Sequence, residues 1–312
     1  YGYTVNKIKK DKLKFQKLYL KMKGDKPINI LNIVSDGISK FSKFLNLEKP
    51  DYLIILGDRY EILSAAVAAS FLKIPIIHLN GGELTFGAHD DWIRHCITKM
   101  ANIHFVANNE YKKRVIQLGE NPKTVFNTGG LSSDNALKTK LLDKNNIQKN
   151  LKIKFKKRNI LITYHPEIYS NTNTKKSFLE IIKVIKYFKN VNFFFTFPNA
   201  DEENKVIIDL IKKLCLSDNN CKFFLSLGRI NYLSLVKNCD LVLGNSSSGL
   251  LEVPYLNAYT INIGNRQQGR VRAKSVFDCK TSFKEIKKMI KHVLSIVDRN
   301  QKRKFNLKDY YG

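Results

Sequence analysis

The sequence predicts an α/β protein built from two Rossmann-like domains with parallel sheets facing a cleft, and three observations lead there. Short apolar runs of strand length alternate with helix-period stretches along most of the chain, the rhythm of βα units that assemble into parallel sheets. That rhythm pauses once, over a Lys- and Asn-dense stretch at 141–158, and then restarts. The length, 312 residues, exceeds what one compact core usually holds. The division is placed at 1–143 and 144–312.

Residues 1–27 are lysine-rich and weakly patterned, a loop or short edge element. At 29–47, Ile30, Ile33, Val34, Ile38, Phe41, Phe44 and Leu45 recur at helical intervals and Pro50 closes the segment. A strand at 52–56, helix at 60–72, strand at 74–79, Gly-rich loop at 80–89 and helix from 91 to 100 follow. A strand at 103–107, helix at 109–118 and strand at 125–127 complete the first series. The stretch 141–158 is read as a linker. Beyond it, strands are expected at 159–163, 191–197, 222–226, 240–243 and 260–263. Helices at 175–188, 202–215, 232–238 and 247–253 alternate with them, and one at 282–297 precedes a polar tail.

Composition narrows the function classes. No run of 18 apolar residues occurs, so no membrane span is expected. The N-terminus is polar and basic without an apolar signal core, although the chain begins at Tyr1 rather than Met. Five cysteines, scattered and without a CxxC pair, argue against a zinc site or disulfide framework and read as reduced thiols of a cytoplasmic protein. The histidines show no metal-ligand spacing, since His89 and His95 fall on different faces of a helix. A net charge of +27 raises nucleic acid as a partner, yet the lysines are spread along the chain rather than clustered with aromatics. Solvated lysine faces are the reading, and an acidic small molecule remains compatible with the charge.

In an open parallel sheet, ligands bind outside the carboxyl ends of the strands, which makes the residues there the candidates. Asp58 and Arg59 end the first strand; Asp58 is either a helix N-cap or a reacting carboxylate, and Arg59 either an anion partner or a surface residue. The second strand ends in His78, Asn80, Gly81, Gly82 and Glu83, where paired glycines let backbone approach a ligand and a carboxylate follows. There is no GxGxxG fingerprint. Asp90 and Asp91 open a helix, as dipole-complementing residues or as chemistry, and Arg94 and His95 lie one turn on, where a surface ion pair is the alternative. In the second half His165, followed by Pro166, ends a strand and turns toward the cleft, or is structural. Asn199 ends the next strand in the same style. Gly244 to Gly249, with Ser246, Ser247 and Ser248 opening a helix that contains Glu252, makes an anion site suited to a diphosphate. Asn245 could cap that helix, and Arg266 and Arg270 could add positive charge.

Six blocks, GDRYE, IPIIHLNGGELTFGAHDDWIRHCITK, TYHPE, FPNAD, GNSSSGLLEVP and INIGNRQQGR, are spread across nearly the whole chain. Together they resemble the hydrolysing UDP-N-acetylglucosamine 2-epimerases of sialic and legionaminic acid synthesis, in family order and spacing. The resemblance implies a glycosyltransferase-B type fold with the nucleotide held mainly by the C-terminal domain. It implies elimination of UDP across C1 and C2 to a 2-acetamidoglucal, then hydration to N-acetylmannosamine, with no metal or nicotinamide cofactor. Carried over by motif, Asp58 and Glu83 would be acid–base carboxylates, Asp90 and Asp91 supporting or alternative ones, and His165 the stabiliser of the departing diphosphate. Ser246, Ser247 and Glu252 would hold phosphate and ribose, and Arg266 would pair with the nucleotide. Arg59, Arg94 and Asn199 would complete the substrate-binding set, and a homo-oligomer is expected.

Relatives acting on UDP-linked diacetamido-trideoxy sugars or on GDP-linked N-acetylglucosamine share the six blocks. A glycosyltransferase of the same fold would need no carboxylate cluster in its first domain, and a relative that only binds the nucleotide sugar is a further alternative. The resemblance also places an opening strand with a Gly-Thr-Arg loop upstream of Tyr1, and a last helix starting near Gly312. Without them the expectation is a first sheet short of a central strand, with low stability and weak turnover.

Overall fold

The structure, a computed structural model, describes residues 5–20, 27–86, 89–167, 173–198, 203–299, 305, 307 and 310. Asn199 lies outside them. The first half runs α1 (Val5–Lys10), α2 (Pro27–Glu48), β1 (Leu53–Leu56), α3 (Tyr60–Phe71), β2 (Ile76–Leu79), α4 (Asp90–Met100), β3 (Ile103–Val106), α5 (Asn109–Gln117), β4 (Val125–Asn127) and α6 (Leu131–Lys138). Its four strands pair in parallel in the order β1-β2-β3-β4. The small residues Ala65, Ala66, Ala68 and Ala69 of α3 are buried, which lets α2 pack closely on that face and bury Ile33 and Leu45.

The second half runs α7 (Lys144–Leu151), β5 (Arg158–Thr163), α8 (Thr174–Tyr187), β6 (Val191–Thr196), α9 (Asn204–Ser217), β7 (Cys221–Phe224), α10 (Gly228–Asn238), β8 (Leu241–Gly244), α11 (Ser248–Leu251), β9 (Tyr259–Ile263), β10 (Val276–Cys279) and α12 (Phe283–Arg299). Six parallel strands stand in the order β10-β9-β8-β5-β6-β7. Strands β5, β6, β8 and β9 are buried almost throughout, as expected of a parallel sheet covered on both faces. The chain travels outward from β5 through β6 to β7, then returns to the other side of β5 as β8. That reversal leaves a topological switch point between β5 and β8, where Thr163 and Gly244 end side by side.

Several elements differ from expectation. Residues 5–10 form a helical turn and a half rather than a loop or short edge element. The expected linker contains α7, whose Asp143 side chain accepts from the N–H groups of Asn145 and Asn146, both at 2.9 Å. Only Ile147 of that helix is buried, so it carried no periodic apolar signal. Helix α6 and the short edge strand β10 were not anticipated. An apolar cluster joins the halves: Val106, Tyr111, Val115 and Ala136 pack with Leu233, Val253, Tyr255 and Leu256. Among the described residues no helix is long and apolar enough to cross a membrane.

Candidate active site

The carboxyl ends of both sheets open onto one cavity of about 580 Å³. On the first-sheet side its wall carries Asp58, Thr85 and Asp90. On the other side stand His165, Ser246, Ser247, Ser248, Arg266, Gln267 and Arg270, with the 225–229 loop and Tyr232 beyond.

Asp58 follows Gly57, whose carbonyl lies 3.3 Å from Nε2 of the fully buried His78. The other ring nitrogen of His78 meets the Thr98 hydroxyl at 3.2 Å. Burial, foremost, lowers the pKa of this imidazole to about 4, so it acts as a neutral strut under the Gly57–Asp58 turn. Asp58 does not cap α3: the N-cap position is Arg59, and Oδ2 of Asp58 accepts from Nε of Arg94 at 2.9 Å and from its Nη2. Arg94 is not a surface residue. It is 1 % exposed, and its Nη1 donates to the Glu83 carbonyl at 2.8 Å. Arg94 therefore ties the two acid-bearing turns together.

The remaining acids separate. Asp90, at the start of α4, faces the cavity, and burial followed by the negative charge of Asp58 raises its pKa. Asp91 accepts from the Thr85 backbone N–H and approaches Arg94 at 3.8 Å, a supporting contact behind the wall. Glu83 is buried and does not line the large cavity. Its Oε2 lies 2.9 Å from Nη2 of Arg270, and it borders a small void beside Ser132 and Ser133. Arg59 turns outward and pairs with Glu61 at 3.1 Å.

On the second wall Gly244 adopts φ +139, and a Cβ there would fall 2.0 Å from the Thr163 carbonyl oxygen, so only glycine ends this strand. Asn245 is no helix cap. Fully buried, it accepts from the His165 N–H at 2.7 Å and donates to the His165 carbonyl at 2.9 Å. His165 is 3 % exposed; burial, then the charge of Arg266, pushes it down to about 3, which leaves a neutral ring able to donate one N–H. Ser246 and Ser247 open α11 on the cavity, and the Tyr232 hydroxyl donates to Ser248 Oγ at 2.8 Å. Glu252, half-buried, is raised in pKa by burial against a bond from Ser248. Gln267, Tyr232 and the 225–229 loop line the cavity without having been singled out in the sequence. Gln267 was readable only as part of INIGNRQQGR, since an uncharged amide offers no pattern of its own. Among the described residues no group of three or more His, Cys, Asp or Glu is placed to hold a metal.

Fold and site together define an α/β protein of the glycosyltransferase-B type, with a carboxylate wall and a serine-arginine wall around one cavity. The chain belongs to the UDP-N-acetylglucosamine 2-epimerase family, whose match spans residues 1–312. It is 41 % identical over 279 residues to a GDP/UDP-N,N'-diacetylbacillosamine 2-epimerase (hydrolyzing) of Campylobacter jejuni, covering 89 % of this chain and 73 % of that one. A polysialic acid biosynthesis protein of Escherichia coli is 40 % identical over 284 residues, covering 89 % and 71 %. The fold matches the crystal structure of UDP-GlcNAc 2-epimerase from Neisseria meningitidis bound to UDP-GlcNAc, with TM-score 0.76, 19 % identity and coverage of 94 % and 80 %.

Proposed function

We propose that the protein is a hydrolysing 2-epimerase that converts UDP-N-acetylglucosamine and water into N-acetylmannosamine and UDP. The observation that supports this reading is the single cavity with Asp58 and Asp90 on one wall and His165, Ser246, Ser247 and Arg266 on the other. A base takes the C2 proton, the C2–H pair forms the C1=C2 bond, and the C1–O pair leaves with UDP. Water then adds its oxygen to C1 of the 2-acetamidoglucal, and a proton returns to C2 on the opposite face. A carboxyl with a raised pKa, as at Asp90, suits proton delivery, with Asp58 and Glu83 as partner carboxylates; each positioned acid or base contributes about 10²–10⁴-fold. Neutral His165 donates a hydrogen bond to the diphosphate, and Arg266 balances its charge. Ser246 and Ser247 hold phosphate, and Glu252 accepts from the ribose hydroxyls.

A second reading, the same reaction on a UDP-linked diacetamido-trideoxy sugar, is favoured by the name of the 41 % identical relative. Incubation with each UDP-sugar in deuterated water distinguishes them. Free UDP and a 2-epimerised sugar deuterated at C2 are expected from the true substrate. UDP without label at C2 overturns the elimination, an epimer still bearing UDP overturns hydrolysis, and no reaction of either sugar overturns both readings.

A further inference from the structure

Glu83 and His165 are carried by different sheets, yet one buried chain of contacts links them. Oε2 of Glu83 meets Nη2 of Arg270 at 2.9 Å. Nη1 of Arg270 donates to Oε1 of Gln267 at 3.1 Å. Nε2 of Gln267 donates to the Asn245 carbonyl at 2.9 Å, and Asn245 grips both backbone groups of His165. Gln267 is 1 % exposed and Asn245 fully buried. The backbone supports the same junction: the Phe86 N–H donates to the Gln268 carbonyl at 3.4 Å, and Gly269, at φ +90, packs against Leu84 and Phe86.

Resting on the function proposed above, we infer that Arg270, Gln267 and Asn245 form a positioning relay that sets Glu83 against His165. Arg270 lines the cavity while Glu83 borders the small void, so the guanidinium fixes the place of that carboxylate relative to the substrate space. Gln267 uses its amide oxygen toward Arg270 and its amide nitrogen toward Asn245, a task no apolar side chain of its size performs. A buried hydrogen-bonded network holds one geometry, because each break strands a polar group in low dielectric. Glu83 and the diphosphate donor of the second wall thus keep a fixed separation. None of the three relay residues moves a proton.

The test combines Arg270→Lys, which keeps the charge but loses the planar fork, with Gln267→Met and the double variant. Each single change should lower kcat by about 10-fold or more while the Kd for UDP moves less than about 3-fold, and the double variant should be no slower than the worse single. Losses that multiply, or singles with wild-type kcat, overturn the relay. Gln267→Glu, which retains the acceptor for Arg270 and lacks the donor to Asn245, should fall between wild type and Gln267→Met. It serves as the readout if the methionine variant does not fold. A turnover-independent arm uses histidine-labelled protein, with the His165 resonance assigned by its substitution. Arg270→Lys should shift His165 and leave His292 in place, whereas an unmoved His165 overturns the relay. Wild-type protein inactive on both UDP-sugars would instead fail the proposed function, and the resonance would still decide the relay.

Discussion

His78 and His165 are buried imidazoles whose pKa values, about 4 and about 3, lie below the ordinary 6.5 mainly because burial disfavours the cation. The unfolded chain therefore binds more protons than the native one below about pH 6.5. The stability these residues contribute is complete above that value and declines as pH falls toward their folded pKa. At about pH 5.5 each should cost about 1 kcal/mol relative to pH 7. Asp90, Glu167 and Glu252, whose pKa values burial raises, act with the opposite sign: they stabilise at low pH and lose that contribution as pH rises through their folded values. Comparison with His78→Gln isolates the histidine, because the carboxyls are common to both proteins. Urea midpoints should fall more from pH 7 to 5.5 in wild type than in the variant, and equal slopes would refute a neutral buried His78. The enclosure of His165 could not be read from the sequence, where it was open between site and scaffold, and His78 was placed at a strand end without the contacts that hold its ring. A strand end shows that a side chain sits near the cleft, but not which neighbours desolvate it. Arg94 makes the same point: a basic residue one turn into a helix gave no sign that it would be enclosed by two acid-bearing turns.

At the scale of elements, the βα rhythm was legible wherever burial imposes an uninterrupted apolar run. Strands β5, β6, β8 and β9 and helix α3 came within a few residues of their expected bounds for that reason, and α8 did so through apolar residues at helical spacing. The unread elements, α1, α6, α7 and β10, bury few side chains or pair along one edge only. The candidate site was legible as strand ends plus the serine-rich turn, whereas the contacts between the 80–86 and 264–272 segments required the fold. The turn between β8 and α11 has one further consequence. Gly244 sits against the carbonyl of Thr163, a backbone atom that cannot swing aside. Gly244→Ala should therefore part β8 from β5, displace Asn245 and His165 together, and cost about 3 kcal/mol or more. Denaturant unfolding checks the stability, and UDP titration checks the site, where affinity should fall with it. A variant of wild-type stability would show that the strand pair can slide.

At the scale of the molecule, the two sheets share part of one core. Tyr111 and Val115 of α5 and Ala136 of α6 are buried in the same cluster as Leu233, Val253, Tyr255 and Leu256 from the other half. Losing the second half would return those side chains to water, at about 1.5–3 kcal/mol for each large one, on top of the Glu83–Arg270 pair. That coupling amounts to several kcal/mol, comparable with the whole stability of a typical domain. Unfolding should therefore be one calorimetric transition, even though each sheet also has a core of its own. UDP, whose proposed contacts are mostly on the second wall, would stabilise the folded molecule by about 2.7 kcal/mol at a hundredfold excess over its Kd. If the shared core couples the halves, that increment moves the entire transition upward. Two resolved transitions, with UDP shifting only one, would show that the apolar cluster holds the halves together without making them fold as one.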